Sequence, residues 1–141
     1  MGTAVLTQAQ TGLSIGTHGL GLKTNPEAAW RLTARTGSVG FGADQRINLV
    51  TAQPEVFVTR SWKHIAPAYP YLGLGVKSQL TWQPSGFAHY TSLVAPVGIE
   101  VFPFKSRRIS LTTEARFSWP LSNEAPRPTL GGMIELTWYL R

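Results

Sequence analysis

The sequence predicts an all-β fold: an eight-stranded antiparallel up-and-down transmembrane β-barrel. Three observations predict it. Apolar and polar residues alternate with period two along most of the 141 residues, which marks strands with two unlike faces. No apolar stripe at helical spacing exceeds two turns. The alternating runs are mostly about 9 to 14 residues long, closer to the roughly 9–11 residues of a bilayer-crossing strand than to the ~5–6 of an ordinary one.

The runs follow one another with turn-forming residues between them. "GLSIGTHGLGLK" (12–23) opens the series and ends at "TNPE". "AWRLTARTGSVGF" (29–41) ends at "GADQ". "RINLVTA" (46–52) meets "QP", and "EVFVTRSW" (55–62) follows. "YPYLGLGVKSQLTW" (69–82) ends at "QPSG", and "HYTSLVAPVGIEVF" (89–102) at "PFKS". "RRISLTTEARFSW" (107–119) ends at "LSNEAPRP", and "TLGGMIELTWYL" (129–140) closes the set. A meander of long neighbouring strands closes into a barrel.

The count is eight if Gln53-Pro54 makes a turn and seven if 46–62 is unbroken. Pro54 lacks a ladder donor, and an even count is the rule in such barrels, so both favour eight. The alternative source of the eighth strand is residues 3–10. Residues 1–10 form an N-terminal segment, equally a frayed terminus or a signal-peptide tail with Thr7 and Ala9 at its −3 and −1 sites. Residues 11–141 form a single barrel domain. "PFKS" is tight, while "QPSGFA" and "LSNEAPRP" are longer. Short turns are periplasmic and long loops extracellular, which puts both termini on the periplasmic side.

The two phases differ in kind. Along 107–119, Ile109, Leu111, Thr113, Ala115, Phe117 and Trp119 oppose Arg108, Ser110, Thr112, Glu114, Arg116 and Ser118. Along 129–140, Leu130, Ile134, Leu136 and Trp138 oppose Thr129, Glu135, Thr137 and Tyr139. All five tryptophans, Trp30, Trp62, Trp82, Trp119 and Trp138, fall on the apolar phase near run ends. Membrane interfaces favour such belts of amphipathic rings. The polar phase is rich in Gly, Thr, Ser and Tyr and too sparsely charged for a soluble exterior. The charged phase is therefore expected inside and the apolar phase against lipid. The alternative is a soluble lipocalin-like barrel with an apolar lumen and an apolar ligand.

Only 14% of the residues are charged, against roughly a quarter in soluble domains. There is no cysteine, which removes disulfide and thiolate chemistry. The net charge of +6 admits an anionic lipid surface or nucleic acid as partner. Because the basic residues are scattered and no nucleic-acid-binding motif is present, the expectation is no nucleic acid. No apolar run reaches the 18 residues of a transmembrane helix.

"LVAPVGIEVFPFKSRRISLTTEARF" and "GGMIELTWYL" resemble the last three strands of small outer-membrane β-barrel proteins of Gram-negative bacteria. "GLSIGTHGLGLK" resembles their opening strand. The resemblance implies a bacterial outer-membrane location and the lipid bilayer as partner. Such proteins commonly end in an aromatic residue that the assembly machinery reads. Here the chain ends Trp138, Tyr139, Leu140, Arg141, so Arg141 departs from that pattern.

The inward phase carries Arg31, Arg35, Lys77, Glu100, Glu114, Arg116 and Glu135. Charges in a narrow lumen must pair, which predicts an ion-pair cluster filling the bore. A hairpin centred near residue 125 places Arg116 close to Glu135, and a cation is expected to bridge Glu100 and Glu114. The cluster reads first as a polar plug and second as a selectivity filter. An eight-stranded barrel is filled by its own side chains, so free conduction is not expected. His89, two residues before Thr91, resembles an arrangement of outer-membrane lipid A deacylases, but Thr replaces Ser and no acid is placed to orient the imidazole. His18, His64 and His89 have no metal-ligand spacing. The sequence therefore predicts no enzyme, no metal and no cofactor. It predicts a monomeric barrel with a structural or interaction role and a protein partner at the loops "QPSGFA" and "LSNEAPRP".

Overall fold

The computed structural model describes residues 10–24, 29–37, 39–44, 47–62, 67–121 and 127–140. Ten strands follow in chain order: β1 (Thr11–Gly16), β2 (Gly19–Lys23), β3 (Trp30–Arg35), β4 (Val39–Asp44), β5 (Ile47–Ala52), β6 (Glu55–Ser61), β7 (Ala68–Gln83), β8 (Gly86–Val101), β9 (Ile109–Pro120) and β10 (Thr129–Leu140). Eight of them, all but β4 and β5, form a closed antiparallel ring, with the β7–β8 pairing completing the circle. Closure leaves no unpaired edge around the girth. A walk at right angles to the strands leaves Tyr139 and passes Gly12, Lys23, Thr33, Phe57, Gly75, Val94 and Ser118. It returns to β10 at Thr129, ten residues from its start. That stagger is the strand tilt a closed barrel requires.

The eighth strand has a different source from either expected one. The run 12–23 is two strands joined at Thr17–His18, with Gly16 opposite Gly19. Gly19 adopts φ +86°, a conformation that favours glycine. The apolar phase slips there from Leu13 and Ile15 to Leu20 and Leu22, as it must across a two-residue turn. Gln53-Pro54 is not a hairpin turn. β5 and β6 run in one direction along β7, and the Pro54 carbonyl still accepts from Ser78 N–H at 2.9 Å. Pro54 is tolerated because it sits at a break in the strand, where the missing N–H interrupts nothing. Gly37, with φ +73°, packs against the Gln53 backbone, so the break between β3 and β4 faces the one between β5 and β6. The ring closes without residues 3–10, of which 3–9 lie outside the described residues.

The ends of the barrel also differ from expectation. The β7–β8 connection is a two-residue turn at Pro84–Ser85, because the flanking strands run on to Gln83 and Gly86. The β8–β9 connection spans residues 102–108 and is longer than "PFKS" suggested. Thr11 and Leu140 do share one end, as their pairing requires. The opposite end carries two extended hairpins, β4–β5 and the upper β7–β8, and the β9–β10 connection, where "LSNEAPRP" is expected to form a loop, whose residues 122–126 lie outside the described residues.

Candidate functional site: the charged lumen

Alternation aims every second residue of each strand at the bore. The decisive contrast is in exposure. Leu72, Leu111 and Ile134 are 48%, 49% and 59% exposed, whereas Glu114 and Glu135 are 3% and 1% exposed. The apolar phase is outside and the charged phase inside. A lipocalin-like reading requires the reverse and is overturned.

Four cations and four carboxylates form one connected chain in the lumen. Arg31 donates to Glu100, which also lies 4.0 Å from Lys23 Nζ. Lys23 reaches Glu135 at 2.5 Å. Arg35 Nε donates to Glu135 Oε2 at 2.8 Å, and its Nη1 reaches Glu114 at 3.2 Å and Glu55 at 3.5 Å. Arg116 pairs with Glu55 and lies 3.0 Å from Glu114 through Nε. Hydroxyls satisfy further lone pairs. Tyr139 donates to Glu100 at 2.5 Å, Ser14 to Glu135 at 3.0 Å, and Tyr71 to Glu114. A buried charge is tolerated only when paired and hydrogen-bonded; the equal count of signs supplies the pairing, while Arg31 Nε and Arg116 Nε have no hydrogen-bond partner among the described residues.

Glycines make room for the large side chains. Tyr139 lies against Gly12, Tyr71 against Gly98 and Phe57 against Gly75, each pair facing across adjacent strands. The Phe57 ring supports the Arg35 guanidinium at 4.6 Å, a cation–π contact. Tyr69, Phe102 and Tyr139 close the end of the bore nearest the termini, with ring centroids 5.4 and 5.8 Å apart. The void left between Lys23, Arg31, Arg35 and Tyr71 is about 10 Å³, enough for one water at most.

Of the residues expected inside, Arg31, Arg35, Glu100, Glu114, Arg116 and Glu135 meet in this network. Lys77 stands above it and donates to Ser118 at 3.3 Å. Arg116 is not near Glu135 in the register. Ser118 pairs with Thr129, which centres the hairpin between residues 123 and 124 and puts Glu135 opposite Thr112. No single cation bridges Glu100 and Glu114. Arg31 and Lys23 hold the first, Arg35 and Arg116 the second. Sequence reasoning missed Lys23 and Glu55, and it placed Tyr71 and Tyr139 on the inward phase without joining them to the cluster. Glu55 was legible, since it shares a phase with Thr59 and Ser61 opposite Val56, Val58 and Trp62. Lys23 was hidden by the phase slip at the β1–β2 turn.

Trp30, Trp62 and Trp138 lie outward near the termini, and Trp82 and Trp119 lie outward toward the other end. Aliphatic side chains fill the band between. Arg60 extends over the Trp30 ring at 5.5 Å, a placement suited to an interface. His89 is exposed on the upper part of β8. Among the described residues no group of three potential metal ligands comes together.

No protein-family model matches the chain, and no curated protein does. Solved structures do. Neisserial surface protein A is 12% identical with a TM-score of 0.60, covering 92% of both chains. Ail, the attachment invasion locus protein of Yersinia pestis, is 12% identical with a TM-score of 0.61, covering 94% of this chain and 97% of its own. Ail in complex with the heparin analogue sucrose octasulfate aligns with a TM-score of 0.57 at 12% identity, over the same shares. The chain shares the closed eight-stranded fold of these proteins.

Proposed function

We propose that the chain is an integral β-barrel of a bacterial outer membrane, with a structural or interaction role and a lumen sealed by its own ion pairs. One observation carries the reading: the hydrophobic phase faces out and the charged phase faces in. Burying the apolar exterior in hydrocarbon removes the penalty of exposing it to water. The bilayer is therefore its first partner.

The lumen residues Arg31, Arg35, Glu100, Glu114, Arg116 and Glu135, with Lys23 and Glu55, act as a polar plug that fixes strand register. Lys77 belongs to the mouth above them. Trp30, Trp62, Trp82, Trp119 and Trp138 are the interface belts. The barrel works as a monomer, not as an enzyme, and without nucleic acid. The exposed turn at Gln83–Phe87 and the β9–β10 connection are the elements that meet a protein partner. The complex of Ail with a heparin analogue supports an interaction role at such a surface.

Phase partitioning tests the reading. The chain is expected to need detergent for solubility and to migrate faster on gels before boiling than after. A chain that stays soluble and monodisperse without detergent contradicts it.

A further inference from the structure

The rim of the barrel is uneven. β1 turns into β2 at Thr17–His18, level with Ile134, whose carbonyl accepts from Thr17 N–H at 3.1 Å. β10 runs on past that point through Thr129–Met133 without a β1 partner among the described residues. A notch therefore opens above the β1–β2 turn, and behind it lies a cavity of about 280 Å³. Lys77, Arg116, His18, Gln53, Gln79 and Ser118 line it.

This lining donates hydrogen bonds and carries positive charge. The eight charges below balance one another, so among the described residues Lys77 adds an unmatched positive charge. It is half-buried, its bond to Ser118 is neutral, and among the described residues no carboxylate forms an ion pair with it. Glu55, its partner in the ladder, is turned onto Arg35 and Arg116. A half-buried ammonium whose nearest carboxylate is shared with Arg35 and Arg116 is only partly neutralised, and an anion entering the notch lowers the cost of burying it. The volume sits at the lower end of the ~300–1,000 Å³ of small-molecule pockets, with room for a terminal phosphate or sulfate group.

We propose that this mouth cavity binds an oxyanion ester, a phosphate or sulfate group, with Lys77 as its ion-pair partner and Arg116, His18 and Ser118 around it. The inference goes beyond the structural role above. The group comes either from a soluble sugar ester or from a lipid headgroup reaching the notch sideways.

The test uses the whole chain folded in uncharged detergent micelles, with folding checked by the gel shift. Glucose 6-phosphate, glucose and dihexanoylphosphatidic acid are titrated at constant ionic strength while the Ser118 and Thr129 amides and the His18 ring are followed by NMR. Saturable shifts with glucose 6-phosphate, the phosphatidic acid or both, but not with glucose, support the site, and the stronger ligand identifies the source. Lys77→Gln is expected to weaken binding about tenfold or more, the loss of one charge-assisted contact, and Lys77→Arg to retain it. Absence of saturable binding by both phosphates, or equal binding by wild type and Lys77→Gln, overturns the proposal. Either failure in a folded barrel leaves the membrane reading untouched.

Discussion

Arg35 on β3 donates from Nε to Glu135 on β10 at 2.8 Å, although two strands separate β3 from β10 in the ring. The bond spans the bore, so it braces the barrel wall from inside. Removing one partner leaves the other charged and buried. Glu135→Ala is expected to destabilise the barrel by about 3–5 kcal/mol, measured by urea unfolding in micelles. A loss below about 1 kcal/mol would mean that water or the remaining carboxylates, Glu114 and Glu55 for Arg35 and Glu100 for Lys23, take over both cations.

Tyr71 and Gly98 form a matched pair. A Cβ on Gly98 would stand 2.6 Å from the Tyr71 phenol, pushing the ring off Glu114. Gly98→Val is expected to cost about 1–3 kcal/mol through overpacking. With Tyr71→Ala present, the added cost of Gly98→Val should shrink. Strict additivity in that cycle would show that the two residues do not share space.

Depth on the outer face sets the penalty for a charge. Val97→Arg, outward and midway along β8 between Leu93 beside Trp119 and Val101 beside Leu111, is expected to cost about 2–4 kcal/mol, and Leu140→Arg at the end of β10 only about 0–1. Equal penalties, read from unfolding in lipid vesicles, would argue against a bilayer around the barrel.

Reconstituted into planar bilayers, the barrel is expected to give no stepwise conductance. The void among Lys23, Arg31, Arg35 and Tyr71 at the ion-pair cluster is about 10 Å³, and an aromatic trio closes one end. Well-resolved, reproducible channels would show that the ion-pair plug opens.

The barrel class was legible because lipid outside and charge inside impose one period-two rule on every strand. Leu111 and Glu114 declare their faces without help from neighbours. The pairing of charges was not legible, because it depends on register. The expected turn centre at 125, against the observed one between 123 and 124, shifts the register by three residues, so Gly131 and not Glu135 stands near Arg116. The strand count misled for a related reason. Pro54 signals a missing donor, but a strand break satisfies that as well as a turn does. The short β1–β2 turn carries only a phase slip at Thr17–His18.

The most direct measurement is magnetisation transfer between acyl chains and side-chain methyls in lipid nanodiscs. Leu72, Leu111 and Ile134 should give strong lipid cross-peaks, while Val94 and Met133, buried in the lumen, should give none. Lipid contacts at Val94 and Met133, with silence at Leu111 and Ile134, would contradict the inverted barrel.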